Sequence, residues 1–155
     1  MILYLDSSSL VKRYVQEAGS QEVAEAVQNA TLVGTVAINR AEVAAALGKA
    51  VRLEVLTRED AWKTLQAFRE EWPDLVQLQV TDSLISRADV LAWENGLRGY
   101  DAVQLAAASL WQEMIGRPVT ISTFDQRLWA TAPSVGLVAH PENLPDLLAA
   151  WKSLS

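Results

Sequence analysis

Apolar and polar positions fall into alternating short and long periodic blocks along the chain. Ile2 to Leu5 is an unbroken apolar run closed by Asp6, the pattern of a buried strand, and SSSLVKRYV behind it predicts a helix with Gly19 as its stop. A second helix is expected from Ser20 to about Ala30, with Val23, Ala24 and Val27 on its apolar side, followed by a strand in TLVGTVAI and an alanine-rich helix in NRAEVAAALGKAVRLEV. Ala61, Trp62, Leu65, Phe68 and Trp72 form a helical stripe capped by Thr57 and ended by Pro73. Val76, Leu78 and Val80 alternate with glutamines as in a half-buried strand, and TDSLISRADVLAWENG predicts a helix with Gly96 past its end. A helix across residues 98–112, a strand in VTIS, a short helix in TFDQRLWATA, a strand in LVAH stopped by Pro141, and a closing helix in PENLPDLLAAWKSL complete the pattern.

Strands alternating with helices imply a mainly parallel sheet covered on both faces, a three-layer α/β/α sandwich. The length of 155 residues and the 50% apolar content fit one domain spanning residues 1–155. There is no cysteine, which excludes thiolate chemistry, and the one histidine, His140, cannot build a histidine-rich metal site. The opening residues lack the pattern of a signal peptide and no segment has the length of a membrane span, so a soluble cytoplasmic protein with no membrane partner is expected. The net charge of −6 argues against a broad basic surface that grips nucleic acid unaided. Most of the six tryptophans fall on helix stripes and are assigned to the core, with one or two left to face a partner.

In open parallel sheets function collects at the carboxyl ends of the strands. Four acids stand at such junctions: Asp6 after the first strand, Glu42 in the first turn of the helix after the second, Asp101 opening its helix, and Asp125 after VTIS. Taken singly, each has an ordinary structural explanation, because carboxylates favour helix starts and Asn39-x-x-Glu42 has the form of a capping box. Taken together on one rim they would repel one another, raising the pKa of at least one, and such a cluster persists most readily around a cation. An all-oxygen ligand set suits Mg²⁺ or Mn²⁺ rather than zinc, and the usual employment of such a site is phosphodiester hydrolysis.

LDSSSLVKRY at 5–14, Glu42 within INRAEVAAAL, LRGYDAVQLAAA at 97–108 and STFDQRL at 122–128 resemble, in order and nearly end to end, the acidic motifs of the PIN-domain nucleases. The branch they are most similar to is the VapC-type toxins of toxin–antitoxin pairs. The resemblance implies a metal-dependent endoribonuclease that uses Mg²⁺ or Mn²⁺, acts on RNA, commonly forms a homodimer and is silenced by a small antitoxin protein. It makes Asp6, Glu42, Asp101 and Asp125 the metal-binding catalytic acids. Ser7 or Ser8 matches the hydroxyl residue behind the first acid and Thr123 the one two before the last, with the implied task of orienting carboxylates. Gln104 stands where many relatives carry histidine and is given no catalytic role, and Asn39 is read as a polar cap.

With the four acids set aside the remaining charge is −2, and Lys12, Arg13, Arg40, Arg98 and Arg127 lie close in sequence to the acid-bearing segments as possible phosphate contacts. Two other functions fit the residues less well. A haloacid-dehalogenase-type phosphatase wants a second aspartate where Ser8 stands, and a lysine near its later acids where none occurs between Lys63 and Lys152. A PIN-like module that has lost catalysis and only binds a partner is opposed by the presence of all four acids.

Overall fold

The computed structural model describes residues 1–155. Its centre is β1 (Ile2–Leu5), whose four residues are all buried because the strand is covered on both faces. Successive side chains of a strand point to opposite faces. Ile2 and Tyr4 accordingly enter one core and Leu3 and Leu5 the other. The second core is covered by α1 (Ser7–Lys12), α2 (Ser20–Asn29), α3 (Asn39–Arg52) and α4 (Arg58–Glu71), which contribute Leu10, Val23, Val43, Leu47 and Phe68. The first is covered by α5 (Asp82–Asn95) and α6 (Gly99–Ile115), with Leu84, Leu91, Leu105 and Trp111.

The other strands are β2 (Leu32–Val36), β3 (Val76–Leu78), β4 (Val119–Ser122) and β5 (Val138–His140), followed by the closing helix α8 (Leu144–Ser153). All pairings are parallel and the order is β3-β2-β1-β4-β5. Ile2 lies across from Leu32 on one side and Val119 on the other. The chain therefore runs outward from β1 to one edge, then returns to β4 and runs to the opposite edge. This reversal opens a crevice at the carboxyl ends of β1 and β4, the place where open α/β sheets bind ligands. Asp6 follows β1, and Asp125 caps α7 (Gln126–Thr131) just beyond β4.

Three local expectations are corrected. The first helix stops at Lys12, well short of Gly19. Gly19, at φ +97°, instead opens α2, and a Cβ there would stand 2.7 Å from Phe124 and 2.9 Å from Lys12. The helix in NRAEVAAALGKAVRLEV ends at Arg52 because Glu54 turns left-handed at φ +58° and the amides of Val55 and Leu56 both fold back onto the Ala50 carbonyl. Asn39 is no cap: α3 has no side-chain cap bond, and the Asn39 amide turns inward, where it is fully buried.

Candidate active site

Asp6 reaches the crevice from the end of β1 and is only 3% exposed. Its Oδ1 accepts from the Ser9 amide at 2.8 Å, which caps α1, and from the Ser8 hydroxyl at 2.7 Å, while Thr123 donates to the same carboxylate. No cation pairs with it. Burial pushes its pKa up, and the hydrogen bonds from Thr123, Ser9 and Ser8 pull the other way. The Ser8 hydroxyl also accepts from the Phe124 amide at 3.3 Å, so one side chain ties the turn after β1 to the turn after β4. The Asp6 amide donates to the Ser122 carbonyl at 3.1 Å across the same gap.

Asp125 accepts from the Leu128 amide at 2.9 Å and caps α7, and its own amide donates to Thr123 Oγ1 at 3.1 Å. Asp101 lies in the first turn of α6, two residues inside its start at Gly99. Its pKa is raised by burial first and then by the charge of Asp125, against the pull of Arg98. Mutual repulsion, the cause expected from the acid pattern, is thus present between these two but ranks below burial. Glu42 lies in the first turn of α3 and is exposed. Its charge and that of Asp6 both bear on the phenol of Tyr100, which burial and then these two acids push up to about 12.

The charge of Asp125 thus bears on Asp101, and those of Glu42 and Asp6 on Tyr100. No three carboxylate or histidine side chains converge closely enough to enclose an ion between them. The donor chemistry nonetheless fits a hard cation. Mg²⁺ keeps several waters and takes only one or two carboxylates together with substrate phosphate oxygens. None of the four acids takes part in an ion pair, whereas Glu17, Glu59, Glu71 and Glu113 all do.

Of the hydroxyl residues, Ser8 donates to Asp6 and Thr123 Oγ1 accepts from the Asp125 amide, whereas Ser7 makes no hydrogen bond to any of the four acids. The basic residues are less uniform. Lys12 is paired with Glu17 at 2.9 Å and lies over the Phe124 ring, and Arg13 leans on Glu71 at 3.8 Å. Arg40 sits above the Trp72 ring, and Arg127 donates to the Gly96 carbonyl at 2.8 Å. Arg40, Arg98 and Arg127 are exposed. His140 is held by Ser122 at 3.0 Å, and burial lowers its pKa. Trp72 and Trp111 are core residues, whereas Trp62 and Trp93 are exposed, Trp93 to 90%.

The sequence offered no role for a buried group that the structure places behind the acids. Asn39 and Gln104 form a reciprocal amide pair: Asn39 Nδ2 donates to Gln104 Oε1 and Gln104 Nε2 donates to Asn39 Oδ1, both at 2.8 Å. Asn39 Nδ2 also donates to Thr35 and Oδ1 accepts from the Tyr100 hydroxyl at 2.7 Å, while Gln104 Oε1 accepts from the Tyr4 hydroxyl at 2.7 Å. The available signal was a glutamine inside the apolar stripe of α6, since a buried amide needs partners. A groove of about 780 Å³ between α3 and α4 is lined by none of the four acids and mainly by apolar side chains, including Leu47, Val51, Trp62 and Leu65. Its lining offers no set of converging polar groups to do chemistry.

No protein-family model matches the chain. It is 28% identical over 144 residues to Ribonuclease VapC45 of Mycobacterium tuberculosis (strain CDC 1551 / Oshkosh), covering 92% of this chain and 97% of that protein. Its fold is shared with the toxin–antitoxin complex from Klebsiella pneumoniae, at TM-score 0.64 and 18% identity over 86% of this chain and 93% of that one. It is also shared with PAE2754 from Pyrobaculum aerophilum, at TM-score 0.60 and 20% identity over 96% and 90%.

Proposed function

We propose that this chain, which belongs to the VapC-type PIN-domain toxins, is a metal-dependent endoribonuclease and the toxin half of a type II toxin–antitoxin pair. One observation supports this above the others: two aspartates, Asp6 and Asp125, follow the two strands that meet at the reversal of strand order, the charge of the second bears on Asp101, and none of the three is ion-paired.

Mg²⁺ or Mn²⁺ held directly by one or two of Asp6, Asp101, Asp125 and Glu42, and through water by the others, would supply a water activated for attack and would stabilise charge on the leaving oxygen. The chain's own contribution is orientation. Ser8, the Ser9 amide and Thr123 fix the Asp6 carboxylate in one rotamer, and the Leu128 amide fixes Asp125. The burial that raises the pKa of Asp6 and Asp101 makes these groups costly to ionise without a counter-charge, and so tunes them to receive a cation. Arg98 and Arg127, exposed beside Asp101 and near the start of α7, are placed to hold the RNA phosphates against the net charge of −6, with Arg40, Lys12 and Arg13 further along the same rim.

No helix is long and apolar enough to cross a membrane, and the site of action is taken to be the cytoplasm. The enzyme is read as one domain that works as a homodimer and is silenced by a small antitoxin, whose arginine or lysine would approach the same carboxylates. The test is cleavage of single-stranded or looped RNA by the purified protein. Cleavage should require Mn²⁺ or Mg²⁺, vanish in EDTA and vanish in Asp101→Asn, because an amide keeps the shape but lacks the charge. A variant that cuts as fast as its parent would remove Asp101 from the site.

A further inference from the structure

We infer that Asn39 and Gln104 are positioning residues for the proposed metal-dependent cleavage: their reciprocal amide pair ties α3 to α6 and so fixes how the helix carrying Glu42 and the helix carrying Asp101 sit relative to each other. The inference rests on the active-site reading above and goes beyond it, because neither side chain touches an acid.

The four acids come from different elements, and only some of those elements are tied to one another near the site. Asp6 and Asp125 are joined through Ser8, Thr123 and the backbone of β4. Glu42 and Asp101 ride on α3 and α6, which pack against opposite faces of the sheet. The amide pair bridges these two helices just past the end of β2, which closes at Val36. Asn39 is the first residue of α3, three before Glu42, and Gln104 lies three after Asp101, on the buried side of α6.

The pair is also fixed in direction. Both hydrogens of Asn39 Nδ2 are used, one on Thr35 Oγ1 and one on Gln104, and both lone pairs of Oδ1 are used, by Gln104 and by Tyr100. Gln104 Oε1 is filled by Tyr4 and Asn39. Thr35 in turn donates to the Leu5 carbonyl, directly before Asp6, at 2.7 Å. Flipping one amide alone would set donor against donor at one contact of the pair and acceptor against acceptor at the other. Every polar side-chain atom of the pair has at least one partner, and the chain contains no buried side-chain polar atom without one. The outer end of the network is the Tyr100 hydroxyl, which donates to Asn39 Oδ1.

Two substitutions separate positioning from simple stability. Gln104→Met keeps the length and removes both halves of the amide. Leu137→Ala, buried at the far end of the sheet before β5, destabilises without approaching the site. Each is measured at a temperature where it is fully folded by circular dichroism, first for Mn²⁺ binding by calorimetry and then for RNA cleavage. The expected result for Gln104→Met is an Mn²⁺ dissociation constant at least fivefold higher and a kcat at least tenfold lower, with KM for RNA nearly unchanged. Leu137→Ala should stay within twofold of the parent in all three. Equal Mn²⁺ affinity in parent and Gln104→Met overturns the inference even if the parent cuts RNA. A parent that binds Mn²⁺ yet cuts no RNA overturns the nuclease reading and leaves the affinity comparison to decide this one. A parent that binds no Mn²⁺ overturns both.

Discussion

Asp6 carries two opposed contributions to stability. As the cap of α1 it satisfies the Ser9 amide, and as a carboxylate 3% exposed without a cation it resists ionisation. Its folded-state pKa lies above the ordinary 3.8 through burial, so the unfolded chain releases the proton first as pH rises. The group therefore favours the fold most below that ordinary value, and the contribution is lost as pH climbs through the folded one. Asp6→Asn keeps an acceptor for the Ser9 amide and removes the charge. In EDTA at neutral pH it should melt above the parent, and the gap should close as the pH is lowered toward 4. Asp6→Ala forfeits the cap as well and should lie below Asp6→Asn by about 1 kcal/mol. Melts of the three proteins across this range check both claims, and an Asp6→Asn that is less stable at every pH would show that burial of the charge costs nothing here. Zinc-type chemistry or a histidine base would give a different profile, but His140 is bound to Ser122 and held neutral by burial.

The elements themselves were largely legible in the chain. All five strands and every helix expected from periodicity are present, because apolar runs such as ILYL and stripes such as that of α4 have few alternatives once both faces of a parallel sheet must be covered. The acids at the junctions were legible for the same reason, since a strand's end is marked by its first polar residue. Strand order was not, and it is the order that brings Asp6 and Asp125 to one crevice. Nor was the inward turn of Asn39, whose place at a helix start matches a cap until its burial is known. Contacts between distant segments leave no periodic trace, and Gly34 is another case. A Cβ on that residue of β2 would lie 2.8 Å from Cη2 and 2.9 Å from Cζ3 of Trp111, with Val76 at 3.2 Å, so the indole of α6 lies directly on the backbone of the sheet. Overpacking of a rigid ring costs about 1–3 kcal/mol. Gly34→Ala should lose stability by that amount in urea unfolding, and combining it with Trp111→Phe should cost less than the two separate losses added together. Simple additivity would mean that the ring yields freely.

The order β3-β2-β1-β4-β5 places the first strand of the chain in the middle of the sheet, with β4 as one of its two neighbours. Half of what covers and pairs β1 lies far along the chain: the contact between Ser8 and Phe124 spans 116 residues. That topology has a consequence in time. Synthesis proceeds from the N-terminus at about 5–20 residues per second, so on the order of ten seconds separates the emergence of Asp6 from that of Asp125. Throughout that interval β1 lacks its β4 neighbour, Asp6 lacks Thr123, and Asp101 lacks Asp125. Contacts of such long sequence separation also form late in folding. On the proposed reading, a nascent chain would therefore lack the assembled acid site until the last quarter of the molecule docks. A chain ended after Arg117 should be sensitive to protease, gain no thermal stability from Mn²⁺ and cut no RNA, whereas the full chain does all three differently. A truncated chain that still cleaved would mean the lethal chemistry is available before translation ends, and an antitoxin would then have to meet its partner on the ribosome.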